Sequence, residues 1–151
     1  MSNYFHDAGY KTHLVGKWHL GYYQKKYTPL YRGFDSHTGY YNGWIDYYNY
    51  TYDTGKYVGK DFREGENLYG DTGKYATDLF KDEAVDIIKK HDRKDAPLFL
   101  MINHLAPHVG NTIMQAPQDV VDTFSYIADE NRRKLAGLIS LKSPKPSLIS
   151  R

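Results

Sequence analysis

Between Gly9 and Gly21 the chain reads Gly-Tyr-Lys-Thr-His-Leu-Val-Gly-Lys-Trp-His-Leu-Gly, which sets an ammonium, Lys17, two positions from an imidazole, His19. Residues 12–15 suit a strand, and Gly16 admits backbone geometries that a side chain would block, so the polar pair falls where the strand stops. In open α/β sheets ligands sit at the carboxyl ends of the strands. Alternate residues of an extended segment point the same way, so Lys17 and His19 could converge on one oxyanion, a sulfate or a phosphate, while Trp18 turns away into packing. The plainer alternative is a turn with an exposed lysine and a hydrogen-bonded histidine.

A second polar cluster, Asn103-His104-Leu105-Ala106-Pro107-His108, follows a short apolar run and should meet the same edge of the same sheet. Its two histidines fall short of a zinc site, having Pro107 between them and no third ligand. Cysteine is absent from all 151 residues, which removes disulfides, thiolate metal sites and any thiol nucleophile. Ser36 and Thr38 lie in no pattern that resembles an activated nucleophile. Asp35 and Asp46 stand singly, and a lone aspartate is a poor calcium site.

The elements that must position these groups are read from periodicity. Residues 98–102, Leu-Phe-Leu-Met-Ile, are too short for a helix and typical of a buried parallel strand. Upstream, residues 75–90 carry Ala76, Leu79, Phe80, Ala84, Ile87 and Ile88 at helical spacing, with charge on the other face. Strand, loop, helix, strand in that order predicts an α/β fold, with strands 12–15 and 98–102 parallel in one sheet and the helix packed on it. Residues 1–8 form the end of a helix closed by Gly9, with Tyr4, Phe5 and Ala8 on one face. Residues 22–57 hold eleven of the sixteen tyrosines with no sustained period, and are expected to be loop-rich, either lining a carbohydrate-facing cleft or covering the core. Residues 61–70 are polar, Asp71-Thr72-Gly73 makes a turn, and a further amphipathic helix is expected over 131–141, with Leu135, Leu138 and Ile139 inward. The Pro- and Ser-containing residues 142–151 are expected to be an unstructured tail.

A net charge of +2 with no dominant basic block argues against a nucleic-acid partner, since Arg132, Arg133 and Lys134 make only a short cluster. No run approaches the roughly 20 apolar residues of a membrane span, and no secretory signal is visible at the first residues. Asn49-Tyr50-Thr51 is an N-glycosylation acceptor pattern.

Gly9-Tyr10-x-Thr12-x-x-Val15-Gly16-Lys17-Trp18-His19 resembles the second signature of the sulfatase family, and three later blocks agree with it in order. These are Arg32-Gly33-Phe34-Asp35 with Gly39-Tyr40 and Asp46-Tyr47-Tyr48, then Pro97-Leu98-Phe99-Leu100, then Ala106-Pro107-His108 with Gln115-Ala116-Pro117. They are similar to the arylsulfatase B-like branch, and the likeness runs from about residue 4 to 141. The resemblance implies a sulfuric ester hydrolase on part of the alkaline-phosphatase/sulfatase-like three-layer fold with a mostly parallel sheet. It also implies calcium, a cysteine-derived formylglycine nucleophile, a sulfated sugar or aryl sulfate substrate, and lysosomal or secretory location of a glycoprotein carrying a glycan at Asn49. By the same resemblance Lys17 binds sulfate, His19 contacts the formylglycine hydroxyl, and His108 binds sulfate and donates a proton to the leaving alcohol; His104 matches nothing catalytic. The family's Cys-x-Pro-x-Arg block and first metal aspartates would precede residue 4, and its Asp-Asn metal pair and second sulfate lysine would follow residue 141. Residues 1–141 are therefore expected to be a piece of a sulfatase catalytic domain, with no metal ligands of its own and no turnover by itself. The alternative is a non-catalytic anion-binding module that keeps part of the sulfate pocket.

Overall fold

A computed structural model describes residues 1–70, 72–112 and 114–140; the expected tail at 142–151 and Asp71 of the expected turn lie outside the described residues. The expected α/β core is present. Strand β1 (Lys11–Lys17) runs between two parallel neighbours, β2 (Ser36–Tyr40) and β7 (Leu98–Asn103). Beyond β2 the sheet continues through an antiparallel hairpin, β5 (Arg63–Glu64) and β6 (Asn67–Leu68), giving the order β6-β5-β2-β1-β7. A separate two-stranded hairpin, β3 (Thr51–Asp53) with β4 (Val58–Lys60), stands apart from this sheet. The long helix α2 (Ala76–Lys90) packs on β1, β2 and β7, as the helix of a crossover between parallel strands does.

Alternation along β1 decides what each face meets. Val15, with Tyr40 of β2 and Leu100 of β7, faces α2 and joins Leu79 and Phe80 in the core, while Leu14 is fully buried on the other face. That second face is thinly covered. The short helix α1 (Ser2–Asp7) lays Phe5 flat on Phe99, 4.1 Å between centroids, and Phe34 stacks behind Phe99 at 6.2 Å. Phe5 is thus the inward residue of α1; Tyr4 (81% exposed) and Ala8 point outward, because one and a half turns can present only a narrow stripe to the sheet.

Three other expectations are corrected in detail. The tyrosine-rich segment is not loop alone: β2 and β3 lie within it, and Tyr40, Tyr47 and Tyr50 are fully buried core residues. Strand β2 escapes a period reading because Ser36-His37-Thr38-Gly39 is polar, yet four of its five residues are buried. Polar residues 61–70 likewise hide the fully buried Phe62, stacked on Phe80 at 5.7 Å. On the helices the stripe is narrower than expected, leaving Ile88 and Ile139 mostly exposed at 55% and 59%. The second amphipathic helix is α4 (Glu130–Ile139), opened by the Asp129 carboxylate accepting from Arg132 N–H at 2.8 Å; before it stands the short α3 (Gln118–Asp122).

Candidate functional site

At the carboxyl end of the parallel strands the three backbones come unusually close, and two glycines make that possible. A Cβ on Gly16, whose φ is +103°, would run into the Asn103 carbonyl, and one on Gly39 would run into the Gly16 carbonyl. The Asn103 side-chain amide then donates to the Lys17 carbonyl at 3.0 Å and locks β7 to the last residue of β1. Lys17 is half-buried here, and desolvation lowers its pKa from the ordinary lysine value.

His19 does not reach its place by strand alternation. The strand stops at Lys17, Trp18 N–H donates to the Tyr40 carbonyl and His19 N–H to the Tyr41 carbonyl, and His19 then adopts a left-handed φ of +52°. For a non-glycine residue that costs on the order of 1–3 kcal/mol, which the packing around it must offset. Trp18 does turn into packing: its indole N–H donates to the carbonyls of Gly21 and Tyr27, each at 3.0 Å, and its ring meets Phe34 edge-on.

The loop after β2 links the histidines. Gly43 lies under the His19 ring so closely that an added Cβ would sit 2.9 Å from its Cε1 atom, and next to it Trp44 stacks on His108 with centroids 6.3 Å apart and planes within 8°. His108 is exposed, but its backbone carbonyl accepts from Tyr47 Oη at 2.7 Å. Its Nδ1–H donates to the Val109 carbonyl at 2.8 Å, and since a carbonyl can only accept, the proton is fixed on Nδ1. Nε2 is then a base in the neutral ring and a donor only in the imidazolium.

The loops after β2 and β7 are tied by residues that periodicity could not single out. Asp46 Oδ1 accepts from Tyr48 and Asn49 N–H, and its Oδ2 takes the Gln115 amide at 2.6 Å; Gln115 Oε1 in turn accepts from Tyr47 N–H. Asn111 binds Thr51 through its amide and Asp53 through its oxygen. The resemblance had picked out the blocks containing Asp46 and Gln115, but not that the two residues pair across 69 positions.

His104 turns toward Phe80, 6.2 Å between ring centroids; burial lowers its pKa and its Nδ1 has no partner in the structure. Burial thus disfavours its charged form. The Ser36 hydroxyl does have an imidazole beside it, His13 Nδ1 at 2.7 Å, a pair that sequence reading missed. It lies at the start of β2, away from the carboxyl edge, and the adjacent Asp35 carboxylate is occupied by Thr12 N–H and hydroxyl. Thr38 donates to Glu83.

Among the described residues no three His, Cys, Asp or Glu side chains gather into a set that could hold a metal ion. The residues present do not fit the calcium that the resemblance implies: Asp46 is spent on backbone and Gln115, Asp35 on Thr12, and calcium wants about six to eight oxygens. Cavities of about 300, 330 and 510 Å³ are lined by other residues than Lys17, His19 and His108, so the expected shared pocket is not one of them. Asn49 is exposed, with its side-chain oxygen accepting from the Thr51 N–H and hydroxyl. Among the described residues no helix is long and apolar enough to cross a membrane.

The family model described as Sulfatase matches residues 1–145. The chain is 37% identical over 137 residues to arylsulfatase J of Mus musculus, covering 89% of this chain and 22% of that protein. It is 30% identical over 130 residues to the N-acetylglucosamine-6-O-sulfatase of Bacteroides thetaiotaomicron, covering 78% of this chain and 20% of that one. The crystal structure of Ps i-CgsB superposes with a TM-score of 0.77 at 26% identity, over 91% of this chain and 32% of that one, and so does its complex with k-i-k-neocarrahexaose. The chain thus spans about a fifth of the length of these two curated relatives.

Proposed function

The chain belongs to the sulfatase family, and from that premise we propose that it is the part of an arylsulfatase-type sulfuric ester hydrolase that supplies Lys17, His19 and His108 to the sulfate pocket. The observation that carries the reading is the Gly43-Trp44 step, which has the His19 ring on one residue and the His108 ring on the next. Loops from the ends of β1, β2 and β7 meet there, the edge at which α/β sheets bind ligands.

In this reading Lys17 holds negative charge on the sulfate oxygens, and the desolvation that lowers its pKa also strengthens its field on a bound anion. His108, with Nδ1–H held by Val109, presents Nε2 to the ester oxygen and donates there as the imidazolium. His19, held in its strained conformation, acts as base at the nucleophile. The sequence has no cysteine to become the nucleophile, and among the described residues the carboxylates form no cation site. The substrate class is a sulfated sugar or an aryl sulfate, in keeping with the sulfatases it resembles and with the neocarrahexaose bound by one of them.

The test is hydrolysis of an aryl sulfate with and without calcium. The 151-residue chain is expected to show none, while a longer chain that adds the formylglycine block upstream and the Asp-Asn block downstream is expected to turn over and to lose activity in His108→Ala. Turnover by the 151 residues alone that disappears in His19→Ala would overturn the assignment. A second reading, a non-catalytic anion-binding module, is favoured by Lys17 standing at the sheet edge of a chain without cysteine and, among the described residues, without a cation site. It predicts sulfate binding that weakens steeply with salt, since a single permanent charge does the holding. We further propose Asn49 as a glycan acceptor in a secretory host, read as a mass shift lost in Thr51→Ala.

A further inference from the structure

Eleven tyrosines fall in residues 22–57, and burial divides them. Tyr40, Tyr47 and Tyr50 fill the core, whereas Tyr22 and Tyr57 remain 48% and 66% exposed and, with half-buried Tyr52, line the same 510 Å³ cleft. That volume lies within the usual range of small-molecule sites, about 300–1,000 Å³. Its lining brings together Tyr22 and Asn42, the β3–β4 hairpin with Tyr52, Tyr57 and Lys60, and Arg63 of β5.

Tyr22 and Asn42 are held by a buried carboxylate. Asp61 Oδ2 accepts from Tyr41 N–H, Asn42 N–H and the Asn42 amide at 2.7–3.1 Å, and Asn42 Oδ1 then accepts from the Tyr22 hydroxyl at 2.8 Å. Tyr22 is thereby held with its ring against Tyr41, itself backed by the Arg63 guanidinium at 4.9 Å. The hairpin is anchored through Tyr52, whose ring packs on Trp44 at 4.9 Å. Trp44 stacks on His108, and Asn42 immediately precedes the Gly43 that lies under His19. The lining of the cleft is therefore tied, through Trp44 and Gly43, to His108 and His19.

We propose that this cleft is a sugar-binding subsite that takes a pyranose ring of the glycan bearing the sulfate ester. The assignment rests on the sulfatase reading above and adds to it which surface grips the sugar. The exposed rings of Tyr22, held by Asn42, and of Tyr57, with the Lys56 ammonium 5.1 Å from its centroid, suit the C–H faces of a pyranose ring, and the Asn, Thr and cationic groups around them suit its hydroxyls and a further sulfate.

The test is binding to the 151-residue chain, by calorimetry and by amide chemical shifts, of three probes: a sulfated galactan hexasaccharide, its desulfated counterpart and a simple aryl sulfate. Tyr57→Ala and Tyr22→Ala are expected each to weaken the sulfated hexasaccharide about five- to tenfold, with Tyr57→Phe near wild type and aryl sulfate binding unchanged. Spectra matching wild type exclude misfolding, which the exposure of Tyr57 makes a small risk. Hexasaccharide binding unaffected by both alanine variants, or no binding of either hexasaccharide, overturns the subsite. Shifts at Tyr22, Tyr52 and Tyr57 with the desulfated sugar, alongside aryl sulfate that binds equally well to Lys17→Ala and His108→Ala, uphold the cleft and sink the sulfate-pocket reading instead.

Discussion

The two parallel neighbours of β1 contrast in a way their compositions reverse. Strand β2 reads Ser-His-Thr-Gly-Tyr and is almost wholly buried; β7 reads Leu-Phe-Leu-Met-Ile-Asn and is half-exposed along its length, with Ile102 at 42%. The difference lies in what stands beyond each strand. On the far side of β2 are β5 and β6, with Tyr40 stacked on Phe80 of α2 and His37 on Tyr41, whereas β7 is the edge of the sheet among the described residues. Burial is a property of neighbours, and an apolar strand without a second neighbour stays wet.

The largest effect is expected where β2 meets β1. Gly39→Ala places a methyl group against the Gly16 carbonyl, and because both parties are backbone no rotamer change relieves it. A loss of about 3 kcal/mol or more is expected, read from urea unfolding. Cooperative unfolding at the wild-type midpoint would mean that the strands do not approach as closely as described.

A smaller effect, confined to acid, also belongs to the β2 side. His37 is 1% exposed; burial presses its pKa down to about 4 against the favourable hydrogen bond to the Gly16 carbonyl at 3.2 Å. Above pH 6.5 both folded and unfolded chains carry it neutral and nothing is lost. As pH falls from 6.5 to 4 the unfolded chain takes a proton that the folded chain refuses, so stability drops by on the order of 3 kcal/mol. Burial shifts His13 and His104 the same way; Asp61, raised by burial, works in the opposite sense, because the folded chain takes up its proton first. The urea midpoint should therefore fall between pH 7 and 4.5, and fall less in His37→Gln. An equal fall in both proteins would clear His37 of the effect.

Particular residues show why some of this was legible in the sequence and some not. Helix α2 announces itself by apolar residues at helical spacing, strand β7 by an unbroken apolar run too short for a helix, and strand β1 by the short segment that ends at Gly16. Strand β2 does not, since its burial comes from the closeness of Gly39 to Gly16 and from His37 reaching the Gly16 carbonyl, interactions between residues more than twenty positions apart. In the site, Lys17, His19 and His108 were visible through a family pattern. What holds them was not: Asn103 on the Lys17 carbonyl, Trp44 stacked on the His108 ring and Gln115 on Asp46 are ordinary residues until the fold brings them together. The left-handed turn at His19 was hidden for a similar reason: histidine tolerates a positive φ better than most residues but adopts it only where the surrounding structure requires it.

The smallest change in stability should come from the β7 side, where it is most informative about association. An exposed apolar edge strand offers unpaired backbone groups and greasy side chains to a second copy, so the 151-residue chain is expected to self-associate as its concentration rises. Ile102→Lys puts a charge at the most exposed position of β7 without emptying a packed site, so unfolding free energy should move by no more than about 0.5 kcal/mol. Sedimentation should nonetheless shift toward monomer, since an edge lysine must be desolvated before another strand can pair there. If Ile102→Lys instead unfolds the chain, β7 is packed more tightly than its exposure indicates. A wild-type chain that stays monomeric at high concentration would show that its open edge is protected within these 151 residues, and the contrast between β2 and β7 would then be one of composition alone.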